Sequence, residues 1–259
     1  MKKKILFITT SRADYGACKN LISLLQSSKK IKFYLIASGT HLSKNFGNTV
    51  KEIKKDKIKI YKKINILKGS KKNSLNDLAI VKNTFQFFKK IFQEINPDFY
   101  IVFGDRYEML PLTYLAYLNR SKIIHINGGE VTYGAIDESI RHSITKFSDY
   151  HFVANEINKK RVLQMGENPK NVYNFGSLSV DSIKKIKLLD KKKLERNLKS
   201  KLLKKNLVFT YHPETYLKKN QTSDINLILK AIKKYKDIKF FITSPNFDKG
   251  SKEISKKIK

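Results

Sequence analysis

Residues Ile101–His151 read IVFGDRYEMLPLTYLAYLNRSKIIHINGGEVTYGAIDESIRHSITKFSDYH, and this stretch decides the predicted fold. Two short apolar runs, Phe99–Phe103 and Ile123–Ile126, each end in a glycine-containing polar turn, first GDR and then NGGE. A helical pattern follows each turn, and strand–turn–helix units of this kind build parallel sheets. Asp105 and Glu130 are therefore expected at the carboxyl ends of neighbouring strands, where open α/β folds place their sites.

A third carboxylate stands close to these two in the sequence. Asp137 follows Glu130 by seven residues, in an acidic segment that is typical of a helix start. Arg106 and Arg141 lie beside the carboxylates in the same stretch. Three carboxylates and two guanidinium groups that converge on one crevice indicate a reaction site rather than a packing arrangement.

The alternation of strand and helix patterns extends towards the N-terminus. Lys4–Thr9 is predicted as the first strand, because its centre is apolar as in a buried parallel strand, and Ile31–Ser38 and Ile58–Ile66 are predicted as the second and third strands. Asn73–Ile95 is predicted as a long helix with an apolar face formed by Leu75, Leu78, Val81, Phe85, Phe88 and Phe92. The repeated units predict an α/β fold, with a doubly wound parallel sheet in a first domain over residues 1–175.

The pattern changes after residue 175. Asp181–Ser200 is predicted to be helical and is densely charged, and a second alternation follows with strands at Asn206–Thr210 and Ile238–Thr243. These units predict a second Rossmann-like domain over residues 176–259. Two strand–helix units cannot bury both faces of a sheet, so this domain is expected to be incomplete.

Composition limits the classes of function. The chain has 259 residues, of which 41% are hydrophobic, enough for a buried core. Its apolar runs are shorter than the roughly 18–20 residues that span a bilayer, so no membrane association is expected. The single cysteine, Cys18, excludes an intrachain disulfide and fits a reducing cytoplasm. The sequence shows no Cys/His cluster with zinc-ligand spacing, and neither a metal nor a cofactor is predicted.

The net charge of +32 would ordinarily suggest a nucleic-acid partner. Only six of the 54 basic residues are arginine, however, and the lysines are scattered over predicted helices and loops. Nucleic-acid readers depend on arginine and on aromatic stacking surfaces, which are not found as a patch in this sequence. We therefore expect no nucleic-acid partner, although the positive field would attract an anionic substrate.

Several loop residues admit a structural and a functional interpretation. In SRADYG, Arg12 suits a phosphate, but the loop lacks the glycine patterns of nucleotide-binding motifs, and Asp14 is predicted as a plain helix cap. Asp105 could likewise cap the helix after it. His212 in YHPET is a lone histidine, and such residues are more often structural than functional. His125 lies within an apolar strand and is predicted to be a buried core residue.

Taken together, the loops resemble those of a known family. SRADYG, GTHLS, FGNT, GDR, HINGGE, IDESIRHSITK, YHPET and SPNFDKGS occur in the order and spacing of the hydrolysing UDP-N-acetylglucosamine 2-epimerases. The similarity is to the branch that feeds sialic-acid and legionaminic-acid synthesis, and it extends over essentially the whole chain. It implies a GT-B-like pair of Rossmann-type domains with a nucleotide sugar as the substrate.

The resemblance also implies a reaction and the residues that perform it. The nucleotide is lost by anti elimination to a 2-acetamidoglucal, and hydration then yields N-acetylmannosamine. The acid/base groups would be Asp105, Glu130 and Asp137, without an assignment of the one that removes the C2 proton. His212 would act near the leaving group, and the remaining matches are substrate-binding residues, namely Arg12, His41, Arg106, Arg141 and Asn246.

The sequence departs from the family in its second half. The family's later segment, with a G-N-S-S-type loop and a ribose-binding glutamate, is not found, so a truncated form is expected. A complete protein of this family is expected to be a homodimer, and a truncated form is expected to use a partner chain that supplies the missing segment. Two alternatives remain open: a GT-B glycosyltransferase, and an inactive or partner-dependent subunit that binds a nucleotide sugar. Reaction products distinguish the first, and binding without turnover distinguishes the second.

Overall fold

The computed structural model describes residues 2–68, 76–212, 222–245 and 250–258. The chain divides into two compact units. The first consists of Met1–Thr132 and Asp137–Ile186, and the second of Tyr133–Ile136 and Lys187–Lys259. The first unit thus continues past residue 175, where the sequence pattern had suggested a boundary.

The first unit is organised around a parallel sheet. Among the described residues its strands are β1 Lys3–Thr9, β2 Ile31–Ser38, β3 Lys62–Ile64, β4 Phe99–Phe103, β5 Lys122–Ile126, β6 Tyr150–Val153 and β7 Val172–Asn174. They lie in the order β3-β2-β1-β4-β5-β6-β7, with every neighbouring pair parallel. The strand order reverses between β1 and β4, where Phe7 pairs with Ile101. The connections diverge at such a switch point and leave a crevice at the carboxyl ends of the strands.

Helices cover both faces of this sheet, as expected of a doubly wound fold. Those of the first unit are α1 Arg12–Ser27, α2 Val50–Lys55, α3 Asn76–Ile95, α4 Met109–Leu118, α5 Asp137–Phe147, α6 Glu156–Gln164 and α7 Leu178–Lys185. On one face α1 and α2 bury Tyr15, Cys18, Ile22 and Ile53 against the strands. On the other face α3, α4 and α5 pack in succession, and Phe92 meets Tyr100 at a centroid distance of 5.7 Å.

Local differences from the predicted elements have simple causes. The expected strand Ile58–Ile66 is shortened to β3 Lys62–Ile64, which pairs with the last three residues of β2. The GTHLSKNFGNT segment and its continuation form two short 3₁₀ helices and α2. The cap of α1 is Ser11, whose Oγ accepts from the amide of Asp14 at 3.3 Å, so the prediction that Asp14 caps this helix was wrong. In α3, Leu78 is 67% exposed, and the buried face runs through Ile80, Thr84, Phe88, Ile91, Phe92 and Ile95.

In the described part of the second unit there are two strands. Its described elements are α8 Lys191–Leu198, β8 Lys205–Phe209, α9 Thr222–Ile232, β9 Ile238–Ile242 and α10 Ser251–Ile258. The two strands pair in parallel, with Leu207 opposite Phe240. The charged segment that was predicted as one helix is divided between α7 of the first unit and α8 of the second. None of the helices in the described parts of the chain is both long and apolar enough to cross a membrane.

Candidate active site

Four polar loops leave the carboxyl ends of the neighbouring strands β2, β1, β4 and β5. They read GTHLS after β2, SRADYG after β1, GDRYE after β4 and NGGEVT after β5. All the predicted site residues except His212 and Asn246 lie on these loops or on the helices that follow them. The parallel sheet therefore gathers groups that are far apart in the sequence at one edge, around the switch point.

Arg141, on α5, joins two of these loops to its own helix. Its side chain is almost fully buried, and its Nη1 donates to the backbone carbonyl of Glu130 at 2.7 Å. Its Nη2 donates to a carboxylate oxygen of Asp105 and to Thr132 Oγ1, the latter at 3.1 Å. A buried guanidinium needs such a partner, because an unpaired buried charge is strongly destabilising. Asp105 is therefore held by an ion pair and does not cap the helix after it.

Glu130 lies in a different environment from Asp105. It is half-buried, and burial raises the pKa of its carboxyl above the ordinary value. The backbone of its loop is fixed from two sides, because Arg141 binds the carbonyl of Glu130 and Arg161 binds that of Gly129. Two carboxyl groups with such contrasting surroundings, one ion-paired and one half-buried, are the usual arrangement for acid/base work.

The two glycines before Glu130 serve packing within the protein. Gly129 has φ of +77°, and a Cβ at this position would lie 2.5 Å from the carbonyl oxygen of Asn158 on α6. A Cβ on Gly128 would lie 3.0 Å from Nδ1 of His125. The Gly-Gly pair therefore lets the chain approach α6 and β5 closely, and this packing fixes the position of Glu130.

Across the switch point, Arg106 turns towards the loop after β1. Its Nε donates to Glu108 Oε1 at 2.7 Å, and both side chains are largely buried. Burial lowers the pKa of Arg106, but attraction to Glu108 and then to Asp14 outweighs it and raises the pKa above the ordinary value. Burial raises the pKa of Asp14, although the charge of Arg106 opposes this. Sequence reasoning missed Glu108. The signal that could have found it is its spacing in GDRYE, two residues after the oppositely charged Arg106.

His41 is fully buried in the structure. Its Nε2 lies 3.0 Å from Thr9 Oγ1, and its Nδ1 lies 2.8 Å from Thr49 Oγ1. Burial lowers the pKa of His41 to about 4, so the ring is neutral near pH 7. Both nitrogens are used within the protein, so in this structure His41 joins β1 to the segment before α2. Contact of His41 with a substrate stays a prediction.

The other predicted residues occupy distinct places. Asp137 is the first residue of α5, one helical turn before Arg141 and on the same side of the helix. Arg12 is exposed in the first turn of α1, where the helix dipole and free N–H groups favour an anion. His212 is exposed and lies in the second unit, three residues beyond β8. Asn246 lies outside the described residues.

These groups can carry out proton transfer on an organic substrate and stabilise an anion that leaves it. Carboxyl groups in unlike environments supply acid and base, and a cation at a helix N-terminus suits a phosphate. No group of three or more His, Cys, Asp or Glu side chains among the described residues could hold a metal ion.

The chain matches the sequence profile described as UDP-N-acetylglucosamine 2-epimerase over residues 23–259. It is 41% identical over 249 residues to the GDP/UDP-N,N'-diacetylbacillosamine 2-epimerase (hydrolyzing) of Campylobacter jejuni, an alignment that covers 96% of this chain and 64% of the relative. It is 38% identical over 260 residues to polysialic acid biosynthesis protein P7 of Escherichia coli, which covers 99% of this chain and 66% of the relative. The chain therefore spans about two thirds of the length of these relatives.

Solved structures of similar proteins show the fold. The UDP-GlcNAc 2-epimerase from Neisseria meningitidis, bound to UDP-GlcNAc, has a TM-score of 0.80 at 20% identity and covers 97% of this chain and 68% of that one. The enzyme from Methanocaldococcus jannaschii, in complex with UDP-GlcNAc and UDP, has a TM-score of 0.76 at 18% identity, with 99% and 68% covered. The α/β, GT-B-like fold class predicted from the sequence is thereby confirmed.

Proposed function

This chain belongs to the UDP-N-acetylglucosamine 2-epimerase family, and from that premise we propose that it acts as a hydrolysing 2-epimerase on a nucleotide-activated 2-acetamido sugar. The observation that carries the proposal is the buried Arg141, which holds Asp105 and the Glu130 loop together at the carboxyl ends of β4 and β5. A site that only bound a sugar nucleotide would not need two carboxylates held in unlike environments.

The proposed reaction has two stages. In the first, a carboxylate takes the proton from C2, the C2–H electron pair forms a C1=C2 double bond, and the C1–oxygen bond breaks. The nucleoside diphosphate leaves with the electron pair of the broken C1–oxygen bond, and a 2-acetamidoglucal remains. In the second stage water adds its hydroxyl to C1, and an acid delivers a proton to the opposite face of C2. The products are N-acetylmannosamine and UDP when the substrate is UDP-N-acetylglucosamine.

The residues have separate roles in this proposal. Asp105 is held by its ion pair with Arg141 at the carboxyl end of β4, and we propose it as the base that removes the C2 proton. Glu130, whose pKa burial raises, is suited to deliver the proton to C2. Asp137 is the third candidate for proton transfer. Arg12, exposed at the start of α1, would stabilise negative charge on the phosphates of the substrate. For His212, the family resemblance implies a role near the leaving group.

A time course by NMR in deuterated water tests the proposal. With UDP-N-acetylglucosamine, we expect release of UDP and deuterium at C2 of N-acetylmannosamine, because the C2 proton is exchanged through a carboxyl group. Glu130→Gln and Asp105→Asn should each lower the rate by about 10²–10⁴-fold, the usual contribution of a positioned acid or base. Glu94→Gln removes an exposed carboxylate that pairs with Lys62, and it should leave the rate unchanged.

Two results would contradict this proposal. Product without deuterium at C2 would exclude the elimination route, and full activity of Glu130→Gln would remove that residue from the chemistry. The same assay with a UDP-activated 2,4-diacetamido sugar decides the sugar, since the relatives include one named for N,N'-diacetylbacillosamine and one named for polysialic acid synthesis. A preference for either sugar would support a role in nonulosonic-acid synthesis.

A second candidate function is a chain that becomes active only with a partner. Leu207 and Val208 of β8 are 50% and 74% exposed, whereas parallel strands are normally buried on both faces. We propose that a polypeptide corresponding to the rest of the relatives' length covers this surface. Turnover that appears only after addition of such a fragment from a relative would favour this candidate, and turnover by the chain alone would exclude it. Sedimentation of each sample would test the proposed homodimer.

A further inference from the structure

His125, at the carboxyl end of β5, lies between the segments that carry the candidate site. It is fully buried, as the sequence predicted for a core residue. Its Nε2 is 3.0 Å from the carbonyl oxygen of Gly104, the residue directly before Asp105. Its Nδ1 is 3.1 Å from Thr145 Oγ1 on α5. One ring therefore contacts both the loop after β4 and the helix that carries Arg141.

The contacts determine which ring nitrogen carries the proton. A carbonyl oxygen can only accept, so Nε2 is the protonated nitrogen and donates to Gly104. Burial lowers the pKa of His125 to about 3, so near pH 7 the ring is neutral and Nδ1 presents a lone pair. Thr145 Oγ1 also lies 3.0 Å from the backbone carbonyl of Arg141, so its hydroxyl has two acceptors within reach, that carbonyl and Nδ1.

The surroundings leave the ring little freedom. Gly128, in the turn that leads to Glu130, approaches so closely that a Cβ would lie 3.0 Å from Nδ1 and 3.1 Å from Thr145 Oγ1. The Gly104 amide donates to the Ile126 carbonyl at 3.0 Å, which ties the same loop to the strand of His125. Three separate segments thus meet at this imidazole: the Asp105 loop, the Glu130 turn and the Arg141 helix turn.

We propose that His125 is a positioning residue, which sets the separation between the Asp105 loop and α5 so that Asp105 and Arg141 meet in the geometry that the reaction requires. This inference rests on the proposed function for its catalytic consequence. Its structural part, the placement of Asp105 against Arg141, stands independently. A displacement of about 1 Å at a reacting group can cost about 100-fold in rate, so a histidine that never touches substrate can control turnover.

The test compares substitutions of His125 with a matched control. His125→Leu removes both ring nitrogens, whereas His125→Gln keeps an N–H donor that can reach the Gly104 carbonyl. His151 is the control, because it is the register partner of His125 on β6, is equally buried and binds Glu167 instead of a site loop. His151→Leu therefore removes a buried imidazole at the same level of the sheet without touching the candidate site.

The first readout is turnover of UDP-N-acetylglucosamine. We expect kcat to fall at least about tenfold in His125→Leu with KM changed by less than about threefold, because the reacting groups are misplaced while the substrate is still bound. His125→Gln should recover most of kcat, and His151→Leu should retain it. Equal losses of kcat in His125→Leu and His151→Leu would overturn the proposal, since they would reflect general destabilisation.

The second readout does not depend on activity. In a sample labelled with ¹⁵N-arginine, the Arg141 guanidinium protons should exchange slowly with water in the wild-type chain, in His125→Gln and in His151→Leu. They should exchange rapidly in His125→Leu, where Asp105 is displaced. Slow exchange in His125→Leu would overturn the positioning role. If the wild-type chain shows no turnover, the proposed function fails for this chain, and the exchange measurement still decides the role of His125.

Discussion

Replacement of Arg141 by methionine should destabilise the protein more than any surface charge removal. Loss of one partner from a buried ion pair costs about 3–5 kcal/mol, and Asp105 is 24% exposed, so water can partly solvate it and the lower end, about 3 kcal/mol, applies. For a cooperative unit of roughly 150–250 residues this corresponds to a fall in Tm of about 6–12 °C. Most of the loss arises because the Asp105 carboxylate and the Glu130 carbonyl lose their donor.

Urea unfolding followed by far-ultraviolet circular dichroism measures this, since the chain has no tryptophan for fluorescence. Arg141→Met, Asp105→Asn and the double variant form a cycle, and we expect a coupling energy of about 1–3 kcal/mol for residues in direct contact. The control is Lys122→Met, because the Lys122 side chain is 59% exposed in its ion pair with Asp149, and this change should cost less than about 1 kcal/mol. Free energies that add within about 0.5 kcal/mol in the cycle would refute the ion pair.

Four further predictions concern single residues. Burial raises the pKa of Glu130, so the wild-type protein loses stability as the pH rises through the pKa of the folded state. The free energy of unfolding of Glu130→Gln, relative to that of wild type, should therefore be greater at pH 7 than at pH 4. Urea midpoints that differ by the same amount at both pH values would contradict this. Gly39→Ala should lower the free energy of unfolding by about 1–3 kcal/mol, since φ is +56° and a Cβ would lie 2.7 Å from the Thr10 carbonyl oxygen. By contrast, Gly16→Ala, in α1 with no neighbour within 4 Å, should gain about 0.5–1 kcal/mol, and thermal unfolding of both variants checks the pair. Cys18 is buried and burial raises the pKa of its thiol, so a thiol reagent should react only after unfolding; fast labelling of the native chain would disprove its burial.

Much of the fold could be predicted from the sequence, because its signals are local. The apolar runs at Phe99–Phe103 and Ile123–Ile126 became β4 and most of β5, and the glycine-containing turns after them became the loops of the site. The predicted strands of the second unit were also found, each within one residue of its expected ends. Periodicity predicts such elements because it depends only on which face of a strand or helix is buried.

Other features depended on competition between local possibilities. Ser11 and Asp14 could both cap α1. Ser11 is the cap because its backbone is extended, with φ of −140° and ψ of 159°, directly before the first helical residue, Arg12. Asp105 could also have capped a helix, but it forms an ion pair with the buried guanidinium of Arg141 on α5, which needs a counter-charge. His41 was predicted to bind substrate, and in the structure it is buried between Thr9 and Thr49.

By itself, the sequence determined the α/β class, the parallel order of strand and helix, and the set of carboxylates, arginines and histidines at the strand ends, because each of these depends on residues close together in the chain. Only the tertiary structure decided that Arg141 binds Asp105, that Arg106 turns to Glu108 and Asp14, and that His125 joins the segments around the site. These pairs join residues on different loops, and their formation depends on the burial and spacing that the packed sheet imposes.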